Sequence, residues 1–270
     1  MSEVSFAVTQ VSPRIGATIE GIDLSRPLAG SDVVVLRRAI ATHQVLFFRN
    51  QQLDPVALER VGLYFGRLQP VARGGLPGHP EVMALLSSRS SIPASADEWH
   101  SDGSYEAVPP SESLLYLDSL PALGGETSFA SMYAAYDALS SGMKVFLEGL
   151  TASHDRRVDF GRYDAKFPSN IVVHPVIRRH PVTGRKAIYV NRGFTSHIND
   201  LPEAESRALL DFLFEHGKNP YFQVKFRWEP GSLAIWDNRC TLHMAIWDFH
   251  SGGCSGLRLQ VGSDEIRLAA

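Results

Sequence analysis

His100-Ser101-Asp102 and, far downstream, His243 are the residues whose types and spacing could bind a redox metal. Side chains alternate along an extended strand, so positions i and i+2 leave from the same face. A His-x-Asp segment therefore offers an imidazole and a carboxylate side by side. A distant histidine completes a set of three when the fold returns it. Two imidazoles and one carboxylate on one face of an octahedron form the triad that binds non-haem Fe(II), leaving three positions for a bidentate cosubstrate and O2. The same residue types bind zinc in hydrolases, where a metal-bound water is the nucleophile. His-x-Asp arises readily by chance, an Asp-Gly pair is commonly a turn, and a single histidine among ten is ordinarily structural. The surrounding sequence has to discriminate.

It does so in four places. Trp99-His100-Ser101-Asp102-Gly103-Ser104-Tyr105 is followed by Gly124-Gly125-Glu126-Thr127, and later by Trp236-Asp237-Asn238-Arg239-Cys240-Thr241-Leu242-His243, with Arg258 beyond it. Together with Gly16-Ala17-Thr18-Ile19-Glu20-Gly21-Ile22-Asp23-Leu24 near the start, these motifs run over nearly the whole chain. The sequence resembles the taurine dioxygenase / 2,4-dichlorophenoxyacetate dioxygenase (TauD/TfdA) family of Fe(II)- and 2-oxoglutarate-dependent oxygenases. The resemblance implies that His100, Asp102 and His243 are the catalytic iron ligands and that Thr127 and Arg258 bind 2-oxoglutarate. It implies cofactors Fe(II), 2-oxoglutarate as cosubstrate, and O2. The implied reaction hydroxylates, or thereby cleaves, a small organic substrate, with release of succinate and CO2. The guanidinium fork of Arg258 suits a planar carboxylate, and the Thr127 hydroxyl would donate to the same group. A metal-dependent hydrolase or a non-catalytic jelly-roll binding protein would explain the triad residues but not Thr127 and Arg258 at this spacing.

Departures from the family pattern bear on substrate. In the taurine and dichlorophenoxyacetate enzymes an arginine four residues before the cosubstrate arginine holds the substrate's anionic group; here that position is Cys254. The taurine enzyme also has a histidine in the loop after its second helix, where this chain reads Arg67-Leu68-Gln69-Pro70-Val71. Taurine is therefore not the expected substrate. The segment from Trp236 to Phe249 is similar to the aryloxyalkanoate branch and favours a small organic acid, with a biosynthetic intermediate or amino-acid derivative as the other option. Arg73, Arg156, Arg157 and Arg192 are candidate anion partners, and Tyr105, Phe160 and Tyr163 a candidate aromatic wall. Halogenating relatives carry a small residue in place of the carboxylate, so Asp102 points to hydroxylation. Asp237 and Arg239 are candidates to pair or to orient the ligand strand. His174 and His180 read as structural, and His43, His79, His154, His197, His216 and His250 carry no pairing signal.

These residues need a scaffold. The 270 residues, 44% hydrophobic, suffice for a sizeable core and suit one domain, 1–270. Net charge is −3 with no basic stripe, which argues against nucleic acid. Two cysteines indicate no disulfide framework. No stretch approaches the ~18 apolar residues of a membrane span, and the start lacks a basic segment followed by an apolar run. The expectation is a cytoplasmic homo-oligomer acting on a small-molecule substrate, without a membrane or nucleic-acid partner.

Periodicity predicts helices over 31–43 with Ser31 as cap, from Asp54-Pro55 to Gly66, from a Ser131 cap through Leu139, and over 202–216. Strands are predicted at Val45–Phe48, 113–120, 127–130, 222–226 and 232–236. Leu257, Leu259 and Val261 alternate with Arg258, which should face away from them. Residues 67–98 and 155–172 read as loops, candidate lids. Topology is not legible from periodicity. The resemblance implies a distorted double-stranded β-helix, a cupin-like jelly roll, mainly β with added helices.

Overall fold

The computed structural model describes residues 6–71, 74–88, 98–160, 168–246, 248 and 253–263. The strands are β1 (Ala7–Gln10), β2 (Ala17–Glu20), β3 (Val45–Phe48), β4 (Gly75–Leu76), β5 (His79–Ser88), β6 (Glu112–Ser119), β7 (Thr127–Ser131) and β8 (Thr151–Asp155). They continue with β9 (Ile171–Pro175), β10 (Ile177–Arg179), β11 (Lys186–Ile188), β12 (Thr195–Ile198), β13 (Gln223–Phe226), β14 (Ser232–Asp237), β15 (Thr241–Ala245) and β16 (Gly253–Val261). Helices α1 (Gly30–His43), α2 (Pro55–Leu63), α3 (Met132–Asp137), α4 (Ser141–Glu148), α5 (Arg157–Phe160) and α6 (Glu203–Gly217) lie between them.

An eight-stranded sheet, β1-β2-β3-β14-β6-β16-β5-β4, faces a three-stranded sheet, β13-β7-β15. Among the described residues all strand pairs are antiparallel except β2 with β3. This is the double-stranded β-helix that the resemblance implies. The central strands are continuously apolar because both of their faces are covered. On β3 and β14, Leu46, Phe48, Leu233 and Ile235 face outward into a core shared with α1 and α2. Val45, Phe47, Ala234 and Trp236 face inward and meet Phe129 and Phe226 of the smaller sheet. Phe47 stacks on Phe226 at 4.2 Å and 5°, fastening one sheet to the other. Such ring pairs contribute roughly 0.5–1.5 kcal/mol beyond area burial.

β16 alternates as its sequence predicts: Leu259 and Val261 are buried outward, so Arg258 turns toward the barrel interior. A third cluster, around Met132, Tyr133, Leu210 and Leu213, packs α3 and α6 beside the smaller sheet. Asp54 caps α2 by accepting from the Ala57 amide at 2.7 Å, and Ser131 caps α3 by accepting from Ala134 at 3.2 Å. Among the described residues no helix is long and apolar enough to cross a membrane.

Four local expectations change. α1 starts one residue earlier than predicted, with Ala29 in the cap position and no side-chain cap bond, so Ser31 lies inside the helix. α2 ends at Leu63, and Gly66 only closes the turn after it. Residues 67–98 are not one loop: β5 pairs with β16 from Val82–Leu259 to Ser88–Gly253. Its pattern is masked because Val82 is fully buried while Leu86 is 78% exposed. Within 155–172, α5 and the start of β9 replace part of the expected loop. Residues 72–73, 89–97 and 161–167 of these candidate lids lie outside the described residues.

Candidate metal centre

His100 and His243 form an isolated antiparallel bridge, exchanging both backbone bonds: His100 N–H to His243 O at 3.0 Å and His243 N–H to His100 O at 2.9 Å. Residues so paired project to one face. The bridge adds the His-x-Asp segment beside β15, and the two rings lie 4.2 Å apart. After Ser101 the chain turns, so Asp102 sits at a strand end, not within a strand. Gly103 permits this turn at φ +60°, where an added Cβ would lie 2.5 Å from Pro110. Gly193 permits a second close approach: a Cβ there would be 2.9 Å from the His100 Cβ.

The three side chains converge. Asp102 Oδ1 lies 3.5 Å from His100 Nε2 and 3.7 Å from His243 Nε2, and all three residues are buried. These separations exceed hydrogen-bond length, so one carboxylate oxygen and two imidazole nitrogens converge without pairing with one another. The His100 Nδ1 bonds to the Glu98 carbonyl at 2.7 Å, and a carbonyl can only accept. Nδ1 therefore carries a proton, and Nε2 is the ring nitrogen turned toward Asp102 and the site. Burial and the neighbouring His100 push His243 well below the ordinary imidazole range. Burial alone would raise Asp102, yet Arg258, His243 and His100 hold it well below the usual carboxylate range. A carboxylate held low beside a His243 imidazole pushed low by burial is the setting a divalent cation needs. The donor set fits Fe(II).

Aromatic rings fix these groups. Trp236 lies 4.7 Å and Phe129 6.0 Å from the His243 ring, and Phe194 meets His100 edge-on at 5.9 Å. Tyr105 in turn lies 4.7 Å from Phe194. Of the predicted aromatic wall, the Phe160 side chain and Tyr163 lie outside the described residues.

Arg258 reaches the triad directly: its Nη2 is 2.5 Å from Asp102 Oδ2, and its guanidinium lies 5.9 Å from the Trp236 ring. Thr127 is joined to the site through the sheet. It stands two residues from Phe129, which pairs with His243, so both side chains share the interior face of β7. Its hydroxyl accepts from the Trp228 indole at 2.9 Å. Sequence reasoning missed Trp228, Phe194 and Ser113, whose hydroxyl donates to Asp102 Oδ2 at 2.6 Å.

Asp237 and Arg239 pair with each other at 2.7 Å, and Arg239 also grips Glu112. His180 donates from Nε2 to Asp237 at 2.9 Å while its Nδ1 accepts from Val182 and Thr183 at 3.2 Å each, so both ring nitrogens are taken up in structural bonds. His174 bonds to the Glu106 carbonyl at 3.0 Å. His79, His154, His197 and His216 also take partners that the sequence does not signal.

Fold and triad together define a class, the Fe(II)- and 2-oxoglutarate-dependent dioxygenases. Comparison with known proteins specifies it further: the profile of the "Taurine catabolism dioxygenase TauD, TfdA family" matches residues 7–260. The chain belongs to the TauD/TfdA family and is an oxidoreductase using 2-oxoglutarate, Fe(II) and O2. It is 32% identical to an α-ketoglutarate-dependent sulfate ester dioxygenase of Pseudomonas putida, covering 90% of this chain and 84% of that one. It is 31% identical to the α-ketoglutarate-dependent 2,4-dichlorophenoxyacetate dioxygenase of Cupriavidus pinatubonensis, over 89% and 92%. The crystal structure of a taurine dioxygenase from Burkholderia xenovorans matches with a TM-score of 0.86 at 33% identity, over 96% and 92%. Against two yeast relatives the chain spans only 65% and 63% of their length.

Proposed function

We propose that His100, Asp102 and His243 hold Fe(II), that Thr127 and Arg258 hold the distal carboxylate of 2-oxoglutarate, and that the substrate is a small anionic organic molecule. The observation that carries this reading is the convergence of two imidazole Nε2 atoms on one carboxylate oxygen, at 3.5 and 3.7 Å, in a buried site. Bound iron supplies the oxidation, coupling decarboxylation of 2-oxoglutarate to oxygenation of the substrate. The protein's part is to orient and to exclude water. A guanidinium carries five donors, so Arg258 can turn from Asp102 to an incoming carboxylate without leaving the site.

Support for an anionic substrate comes from the two bacterial relatives, named for a sulfate ester and for an aryloxyacetate. With Cys254 in place of the usual arginine, the anion needs another partner. Arg157 pairs with Asp155, and Arg192 lies against Glu98 and Asp211. Arg73 lies outside the described residues. Arg156 also interacts with Glu106, and it is the partner we favour because it is half-buried and lies 5.9 Å over the ring of Tyr105, which packs on Phe194 beside His100. Asn170 donates to the Tyr105 carbonyl at 3.1 Å, which supports residues 168–172 as part of a cover on this side of the site. We infer one domain over 1–270 in a cytoplasmic homo-oligomer; the family match over residues 7–260 supports the single domain.

The test is substrate-dependent succinate release under Fe(II), ascorbate and O2, across aryloxyacids, alkyl sulfates, alkyl sulfonates and amino acids. Tight coupling with one of the anionic classes is expected, with Arg156→Ala raising the substrate KM. Coupling with neutral compounds alone would remove the organic-acid assignment.

A further inference from the structure

Asp102 uses its two oxygens differently. Oδ1 faces the histidines, whereas Oδ2 accepts from the Ser113 hydroxyl at 2.6 Å and from Arg258 at 2.5 Å. Ser113 is fully buried on β6 and has its own donor: Asn238 Nδ2–H gives to the Ser113 oxygen at 2.9 Å. An amide donor on the serine oxygen directs the serine proton onto the carboxylate. Asn238 is itself fixed by its backbone. Its N–H donates to the Ser111 carbonyl at 2.8 Å, and its carbonyl accepts from Ser101 at 2.7 Å. Ser101 lies between His100 and Asp102, so the relay closes on the ligand segment that it serves.

We propose that Ser113 and Asn238 are positioning residues that hold Asp102 as a one-oxygen ligand. The proposal rests on the triad reading above. Keeping Oδ2 turned away leaves room at the metal for both chelating atoms of the cosubstrate. A carboxylate free to rotate would close on the metal with both oxygens and compete with it. The two donors on Oδ2 divide the work: Arg258 turns to the cosubstrate carboxylate, while Ser113, held from behind by Asn238, stays. Without Ser113, Asp102 would also retain Arg258 more strongly against 2-oxoglutarate.

Anaerobic titration of the metal-free, full-length protein with Fe(II), then with 2-oxoglutarate, reads the two affinities separately. The visible charge-transfer band of the ternary complex reports chelation, and thermal unfolding of the metal-free variants is recorded alongside. Outer partners of metal ligands typically contribute ~10–100-fold. Ser113→Ala is expected to weaken 2-oxoglutarate binding by about that factor and to diminish the band, with a smaller loss of Fe(II) affinity. Ser113→Thr, which keeps the hydroxyl, should restore both, and Asn238→Ala should shift them in the same direction as Ser113→Ala but less. Unchanged 2-oxoglutarate affinity in Ser113→Ala overturns the proposal. So does a parallel fall of both affinities with thermal stability, the mark of a general structural role. A wild-type protein that binds no Fe(II), or shows no band, overturns the triad reading and the proposal together; a normal wild type beside an indifferent Ser113→Ala overturns the proposal alone.

Discussion

Two buried clusters in this protein carry metal-binding residue types, and they behave oppositely. His100, Asp102 and His243 present donor atoms that face one another without bonding. His180, Asp237 and Cys240 lie equally close and equally buried, yet their atoms are committed. Asp237 takes three bonds from Arg239 and one from His180, and the other nitrogen of His180 accepts two backbone amides. Both carboxylates have a guanidinium beside them, but Asp237 has both oxygens taken, by Arg239 and His180, whereas Asp102 gives only Oδ2 to Arg258 and Ser113 and keeps Oδ1 toward the two imidazoles. Proximity of ligand types is thus not enough. What decides is whether the fold has already satisfied them.

Replacing each carboxylate sharpens the contrast most. Asp102→Ala should abolish Fe(II) binding and the 2-oxoglutarate band while the protein stays folded. Asp237→Ala should instead cost about 3–5 kcal/mol of stability, because it leaves Arg239 buried with too little counter-charge. Denaturant melts and metal titrations on both variants check this, and a metal-binding loss in Asp237→Ala with unchanged stability would reverse the assignment. The next effect in size is on the cosubstrate. Arg258→Ala should raise the 2-oxoglutarate KM by one to two powers of ten, since a charge-assisted contact contributes roughly 1.5–3 kcal/mol. Unchanged 2-oxoglutarate dependence would mean that another group holds the carboxylate.

A thermal-shift titration separates the clusters more gently. Metal at about 100 times Kd stabilises the folded state by about 2.7 kcal/mol. His243→Ala should eliminate that shift and Cys240→Ser should retain it. The smallest expected effect is on pH. Burial, aided by Asp237 and opposed by Arg239, pushes the Glu112 carboxyl from its ordinary 4.5 up to about 7. The folded state therefore holds this proton more tightly than the unfolded chain does. Its stabilising contribution is complete below the unfolded value and fades as pH climbs through about 7. Glu112→Gln should flatten that slope in melts between about pH 4 and about pH 8, a window that contains both the ordinary 4.5 and the raised value of about 7; an unaltered slope would place the proton elsewhere.

The sequence by itself determined what short range can encode. His100 and Asp102 are two residues apart, so one backbone segment sets their shared direction. Strand alternation turned Arg258 away from Leu257, Leu259 and Val261, and Asp54 and Ser131 announced their helices by local capping chemistry. Motif order carried the remaining ligand, His243, through its likeness to a family. The tertiary structure alone decided the rest. Only the pairing of His100 with His243 brings the second imidazole onto Asp102, and only the register of β6 beside β16 sets Ser113 and Arg258 on the same carboxylate oxygen. Trp228 on Thr127 and Phe194 against His100 depend likewise on contacts between distant segments. Such residues leave no local signature, because a serine that orients a ligand reads in sequence like any serine in a strand. Strand register, fixed by which apolar faces are buried, is what turns separate residues into one site.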